Sequence, residues 1–300
     1  MKKNSELISE IIVSKNCENG KELIKPVKKN LEKGFYFESY NITNKEQSKY
    51  YNKEQGQYDL LTIPYPLFLN DKEICKTKEI IKKSLKMMLG KLDKNSKVLV
   101  VGLGNRHISA DSLGTNVAKN INIMFSNDKK PNIMAICPSV MGLTGIETYD
   151  IISGVISKVK PTHLILIDSL CAGHSSRLMT SIQISNTGIC PGSGIGNKRK
   201  CIDKKLAPNI VSIGVPLLIY AETFLSETFD KFNINISRIS SIMQKLKNTE
   251  NNNEFCKFLK DVKSSLHSSF NDEIVSPKDI AEAVEILSSV ISSAINEILI

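Results

Sequence analysis

The run Val98-Leu99-Val100-Val101-Gly102-Leu103-Gly104-Asn105 decides the class of fold. Val98 to Val101 leave no polar face, and a strand of that kind suits a sheet that is covered on both sides. Three later runs share the texture: Ile133-Met134-Ala135-Ile136-Cys137 before Pro138, His163-Leu164-Ile165-Leu166-Ile167-Asp168, and Ile210-Val211-Ser212-Ile213-Gly214-Val215 before Pro216. Segments near 112–123, 146–158 and 217–232 are long enough for crossover helices. The expectation is an α/β fold: a mostly parallel sheet with helices on both faces.

Outward from this block the texture changes. The first ~70 residues are rich in Lys, Asn, Glu and Tyr, with short strands expected at Tyr36–Tyr40 and Tyr58–Ile63. Ile74, Ile81, Leu85, Met88 and Leu92 mark one apolar stripe of a helix. Residues 233–275 are polar, with a surface loop expected at Asn251-Asn252-Asn253. A final helix is expected from a Ser276 N-cap with Pro277 behind it, its buried stripe running from Ile280 to Ile298.

Composition bounds the function classes. The chain has 300 residues, 41% hydrophobic and 24% charged, which excludes disordered and collagen-like chains. No apolar run approaches the ~18 to 20 residues of a membrane helix. Glu6 and Glu10 interrupt the apolar residues behind Lys2 and Lys3, so no secretory signal is expected. The seven Cys form no C-x-x-C pair and read as reduced thiols of a cytosolic protein. The four His show no zinc spacing. The net charge is +9, and residues 95–220 hold 13 Lys and Arg against 6 Asp and Glu. A solvated basic surface, attraction to nucleic acid and a site for an acidic substrate all fit that excess.

In an open α/β sheet, ligands meet the carboxyl ends of the strands. Asp111 follows the first run and reads either as a helix N-cap or as a carboxylate at the edge of a cleft. Asp168 closes an otherwise aliphatic strand, where a carboxylate is costly unless it is bonded or opens into a cleft. Two such carboxyls a few ångströms apart push one pKa upward, which suits a general base beside a general acid. Gln183 to Lys200 holds Gly188, Gly192, Gly194 and Gly196 before Lys198-Arg199-Lys200. It lacks the Gly-Lys-Ser/Thr of a phosphate loop and reads as a flexible basic loop or as one that holds substrate. Glu147 sits where it would favour a helix dipole, and His174 lies close behind Asp168.

Together these segments resemble the spore germination endopeptidases, which degrade small acid-soluble spore proteins. The resemblance is carried by Val101-Gly102-Leu103-Gly104-Asn105, Asp111-Ser112-Leu113-Gly114, Val140 to Thr148, Ile165 to Leu170, and Ile182 to Lys200 with its Pro191-Gly192-Ser193-Gly194-Ile195-Gly196 core. Ser276-Pro277-Lys278-Asp279 and the helix behind it look like the family's C-terminal end.

The resemblance implies an α/β core similar to the hydrogenase-maturation proteases, a phosphorylase/hydrolase-like fold. The change in texture divides the chain into an N-terminal segment, 1–70, with a short propeptide, and an α/β catalytic domain, 71–300, with one continuous domain as the alternative. The resemblance further implies a cytoplasmic protein of the spore core, a homotetramer, and a self-processing zymogen that cuts after Glu or Asp and before a hydrophobic residue. The family's two catalytic aspartates map onto Asp111 and Asp168. Substrate contacts fall to Lys198, Arg199, Arg177, Gly192, Gly194 and Gly196. No cofactor, metal, membrane or direct nucleic-acid partner is expected; the partners are the acid-soluble spore proteins.

Ser5-Glu6-Leu7-Ile8-Ser9-Glu10 resembles the cleavage sequence in the family's substrates, so Glu6–Leu7 is the expected self-processing bond. The chain departs from the family at Gly173, where Arg is usual, and at Asn186 and Cys190, where Asp and His are usual. The alternatives are a catalytically impaired relative that binds peptide or protein, and a metal-assisted peptidase.

Overall fold

The computed structural model describes residues 5–32, 34–125, 130–190, 200–229 and 273–299. Its centre is one nine-stranded sheet in the order β1-β2-β3-β7-β8-β6-β4-β5, with β9 paired to β8. The strands are β1 (Val27–Glu32), β2 (Phe35–Ile42), β3 (Gly56–Thr62), β4 (Lys97–Gly102), β5 (Asn132–Ile136), β6 (His163–Ala172), β7 (Ser181–Ser185), β8 (Asn209–Tyr220) and β9 (Ile274–Val275). The helices are α1 (Ile8–Asn19), α2 (Lys45–Tyr51), α3 (Asp71–Leu89), α4 (Leu113–Lys119), the short α5 (Met141–Thr144), α6 (Thr148–Val159) and α7 (Ile280–Leu299).

The sheet is mixed rather than mostly parallel. Only β8-β6-β4-β5 run parallel, and β1-β2-β3-β7-β8 alternate in direction. Connection length is the reason. A parallel return needs a crossover of a dozen or more residues. Only residues 173–180 separate β6 from β7, so β7 turns back antiparallel beside β8.

Alternation along the central strands shows why both faces are apolar. Val98 and Val100 of β4, Ile165 and Ile167 of β6, and Val211 and Ile213 of β8 pack beneath α3, α4 and α7. Leu99, Val101, Leu164 and Leu166 point the other way, against Ile152 and Ile156 of α6. On that second face, Tyr40 and Tyr58 of β2 and β3 are covered by Ile8 and Ile12 of α1 and Tyr51 of α2. Right-handed crossovers explain the placement. The chain leaves β4 through α4 to reach β5, then returns across β4 through α6 to reach β6, so the two helices must take opposite faces.

Three boundaries differ from the sequence expectation. β6 continues four residues past Asp168, to Ala172. Residues 217–220 extend β8, and helix begins only at 221. The last helix starts at Ile280 rather than behind Ser276, because Ile274 and Val275 are held extended against β8. The Asp279 carboxylate accepts the Tyr65 hydroxyl at 3.1 Å.

Candidate active site

Neighbouring strands β4 and β6 send their chains in opposite directions, towards β5 and towards β7, which makes their carboxyl ends the point where such a sheet meets its ligands. β4 stops at Gly102, level with Ile167, so the next residue of β6, Asp168, has no β4 partner. By alternation Asp168 lies on the sheet face that α6 covers. β4 stops there, while β6 itself runs on to Ala172.

Asp111 acts on Asp168 from the turn after β4. Gly104, at φ +102°, brings its backbone against Asp111; a Cβ there would lie 2.0 Å from the Asp111 carbonyl oxygen. The Asp111 side chain caps no helix. Its Oδ2 accepts the Asn105 N–H at 2.8 Å, closing the turn on itself. Burial raises the Asp111 carboxyl, and that hydrogen bond opposes the rise. Asp168 is 8% exposed, and its Oδ1 accepts the Ser169 N–H at 2.9 Å. Burial first, then the charges of Glu6 and Asp111, lift its carboxyl well above the ordinary range. The fold thus brings Asp168 within electrostatic reach of both Asp111 and Glu6.

Glu6 arrives on an extended segment laid over the sheet. Its N–H donates to the Cys171 carbonyl at 3.0 Å, and its Oε2 accepts the Cys171 N–H at 2.9 Å. Leu7 is fully buried between Leu60 and Leu170, a burial that stabilises the docked segment by about 1.5–3 kcal/mol. The Ile8 N–H donates to Gln183 Oε1 at 2.7 Å. Glu10 accepts the Gly173 N–H at 2.7 Å and also the Ser5 hydroxyl. Leu60, Gln183, Gly214 and Asp168 form one cross-strand row beneath this segment.

A cleft of about 980 Å³ adjoins Glu6. Gln183, Ser185, Ser212 and Gly214 line it from the sheet, α1 and α2 from one side, and Gly188 to Cys190 with Cys201 from another. The aspartates are not among its lining residues. Lys15, Lys45, Lys49 and Lys53 are, so the described cations of the cleft come from the N-terminal part rather than from the basic block at 95–220.

Other expected site residues fall elsewhere. Arg177 Nη1 donates to Thr62 Oγ1 at 3.1 Å and does not line the cleft. Gly192, Gly194, Gly196, Lys198 and Arg199 lie outside the described residues. Lys200 stands 3.5 Å from Asp150 and over the Tyr149 ring. The expectation that all cysteines are reduced is corrected: Cys190 and Cys201 are joined by a disulfide, while Cys17, Cys75, Cys137 and Cys171 are free. Ile189 and Ile202 pair antiparallel beside it, so chain direction as well as the sulfur bond brings the two cysteines together. Among the described residues no group of three or more His, Cys, Asp or Glu is arranged to hold a metal ion.

Sequence reasoning missed Lys53 and the reach of Gln183, because both act through chain segments distant in sequence. Lys53 Nζ donates to the Glu6 carbonyl oxygen at 3.3 Å.

The family profile described as germination protease matches residues 9–249. That is most of the chain. The chain belongs to the germination protease family. The germination protease of Clostridium tetani is 34% identical over 272 residues, covering 85% of this chain and 82% of the relative. That of Clostridium acetobutylicum is 32% identical over 275 residues, with the same coverage of 85% and 82%. A Geobacillus germination protease reaches 44% identity over 168 residues, 52% of this chain. This family member is therefore a peptidase of spore germination. Among its described residues, no helix is long and apolar enough to cross a membrane.

Proposed function

We propose that this chain is an endopeptidase that begins the degradation of small acid-soluble spore proteins, cutting after Glu or Asp and before a hydrophobic residue. In this reading it is made as a zymogen, Glu6–Leu7 is the bond it cuts in itself, and the active form is a homotetramer in the spore core. Kinship of its α/β core with the hydrogenase-maturation proteases belongs to the same reading. The observation that carries it is the docking of Ser5 to Glu10 over the strand row that ends in Asp168, whose carboxyl is raised in part by the charges of Glu6 and Asp111.

Asp168 is the more deeply buried and more strongly raised of the pair, so it is the one that holds its proton more tightly and serves as the acid. Asp111, half-buried and less perturbed, is the carboxylate that activates water. Glu6 stands for the acidic residue before the cut and Leu7 for the hydrophobic one after it.

The test is incubation of the purified chain with an acid-soluble spore protein, followed by mass spectrometry of the products. Cuts after Glu or Asp, lost in Asp111→Asn and Asp168→Asn, are expected. Retained cleavage by either folded variant would refute the two-aspartate mechanism.

A further inference from the structure

We propose that the Lys53 ammonium polarises the carbonyl of the bond to be cut. This rests on the reading of Glu6–Leu7 as that bond. The oxygen that Lys53 Nζ approaches, at 3.3 Å, is the carbonyl oxygen of the Glu6–Leu7 peptide itself. An electrophilic group must sit at that atom, because negative charge develops there as water adds to the carbon.

The chain holds Lys53 in place from both sides of its backbone. Asn52 ends α2 in the left-handed conformation, at φ 51°. The Lys53 N–H then donates to the Ser48 carbonyl at 3.2 Å, and the Ser48 hydroxyl donates to the Lys53 carbonyl at 2.7 Å. A flexible stem thus leaves a fixed root. Burial pushes the ammonium down from its usual range, while the charges of Glu6 and Glu54 oppose that fall. Lys53 is partly buried at the wall of the cleft, and a cation partly withdrawn from water acts more strongly on a nearby carbonyl than a fully solvated one. The two aspartates account for proton transfer; neither brings a positive charge to the carbonyl oxygen.

Water gives a proton to the Asp111 carboxylate as its oxygen bonds to the Glu6 carbonyl carbon. The carbonyl π pair moves onto oxygen, held there by a Lys53 N–H. When the C=O re-forms, the C–N bond breaks and the Leu7 nitrogen takes the Asp168 proton. Lys53 keeps all its protons.

The experiment follows the full chain in first-order self-cleavage, by intact mass, for wild type, Lys53→Met and Asp168→Asn. Because the segment is already docked, a group that only binds it leaves this rate unchanged, whereas an electrophile does not. Lys53→Met is expected to slow appearance of the chain starting at Leu7 by about 10²–10³-fold. Hydrogen exchange at the Glu6 amide should stay as slow as in wild type. A rate within about threefold of wild type, or a slow rate with the Glu6 amide deprotected, would overturn the role of Lys53. Should Lys53→Met fail to fold, Lys53→Arg is compared with Lys53→Gln. The charged variant is expected to be faster by at least about tenfold, and equal rates overturn the proposal. If the wild type makes no cut at Glu6–Leu7, or makes one that Asp168→Asn leaves intact, the reading beneath the proposal falls with it.

Discussion

Glu6 and Cys171 are joined by two hydrogen bonds, one from the Glu6 N–H to the Cys171 carbonyl and one from the Cys171 N–H to the Glu6 carboxylate. The same side chain that carries the negative charge acting on Asp168 therefore also anchors its own segment to β6.

Glu6→Ala removes that anchor and leaves the Cys171 N–H without its carboxylate partner. The docked segment should weaken by about 1–3 kcal/mol. Hydrogen exchange at the Ile8 amide, which Gln183 protects, should speed up accordingly. Unchanged exchange at Ile8 would show that the segment is held without Glu6.

Gly173 lies close beneath the docked N-terminal segment, and the structure gives its absence of a side chain a use. A Cβ there would lie 2.8 Å from the Ser5 Cβ and 3.0 Å from Glu10 Oε2. Gly173→Ala should therefore push the segment outward, at a cost of about 1–3 kcal/mol to docking. Limited proteolysis would read it as faster trimming of the first ten residues, with the melting temperature of the remainder unchanged. A variant trimmed no faster than wild type would contradict the close approach.

The raised carboxyl of Asp168 predicts how stability depends on pH. A carboxyl that holds its proton more tightly when folded favours the folded chain below its unfolded value, near 3.8, and that advantage is lost as pH rises through the folded value. Asp168→Asn has no such proton to lose. The stability of wild type relative to this variant should fall with pH above about 4, by up to about 1.4 kcal/mol per pH unit within the window. Paired denaturant melts across pH measure it. A difference that is flat, or that grows with pH, would show that Asp168 is not raised.

Much of this was legible in the sequence. The unbroken aliphatic runs at Val98–Val101 and Leu164–Ile167 marked β4 and β6, since only strands buried on both faces dispense with polar positions. Asp168, an acid on such a strand, and Asp111, in the turn that Gly104 permits, were both visible as candidates. Strand direction was not legible, because apolar runs carry no sign; β7 was hidden inside the glycine-rich stretch and read as loop. Lys53 was illegible for a different reason. Its role depends on Glu6, 47 positions earlier, being laid beside the end of α2. The Cys190–Cys201 disulfide escaped notice because the two cysteines stand eleven positions apart, without any recognisable spacing.

The N-terminal residue of the matured chain tests the two-aspartate site most directly. Full-length wild type, Asp111→Asn and Asp168→Asn would be incubated under one condition and their intact masses followed over time. Wild type should shorten to a chain that begins at Leu7, and both variants should keep their full length while melting as folded proteins. A new start anywhere else, or a variant that shortens as fast as wild type, would contradict the assignment.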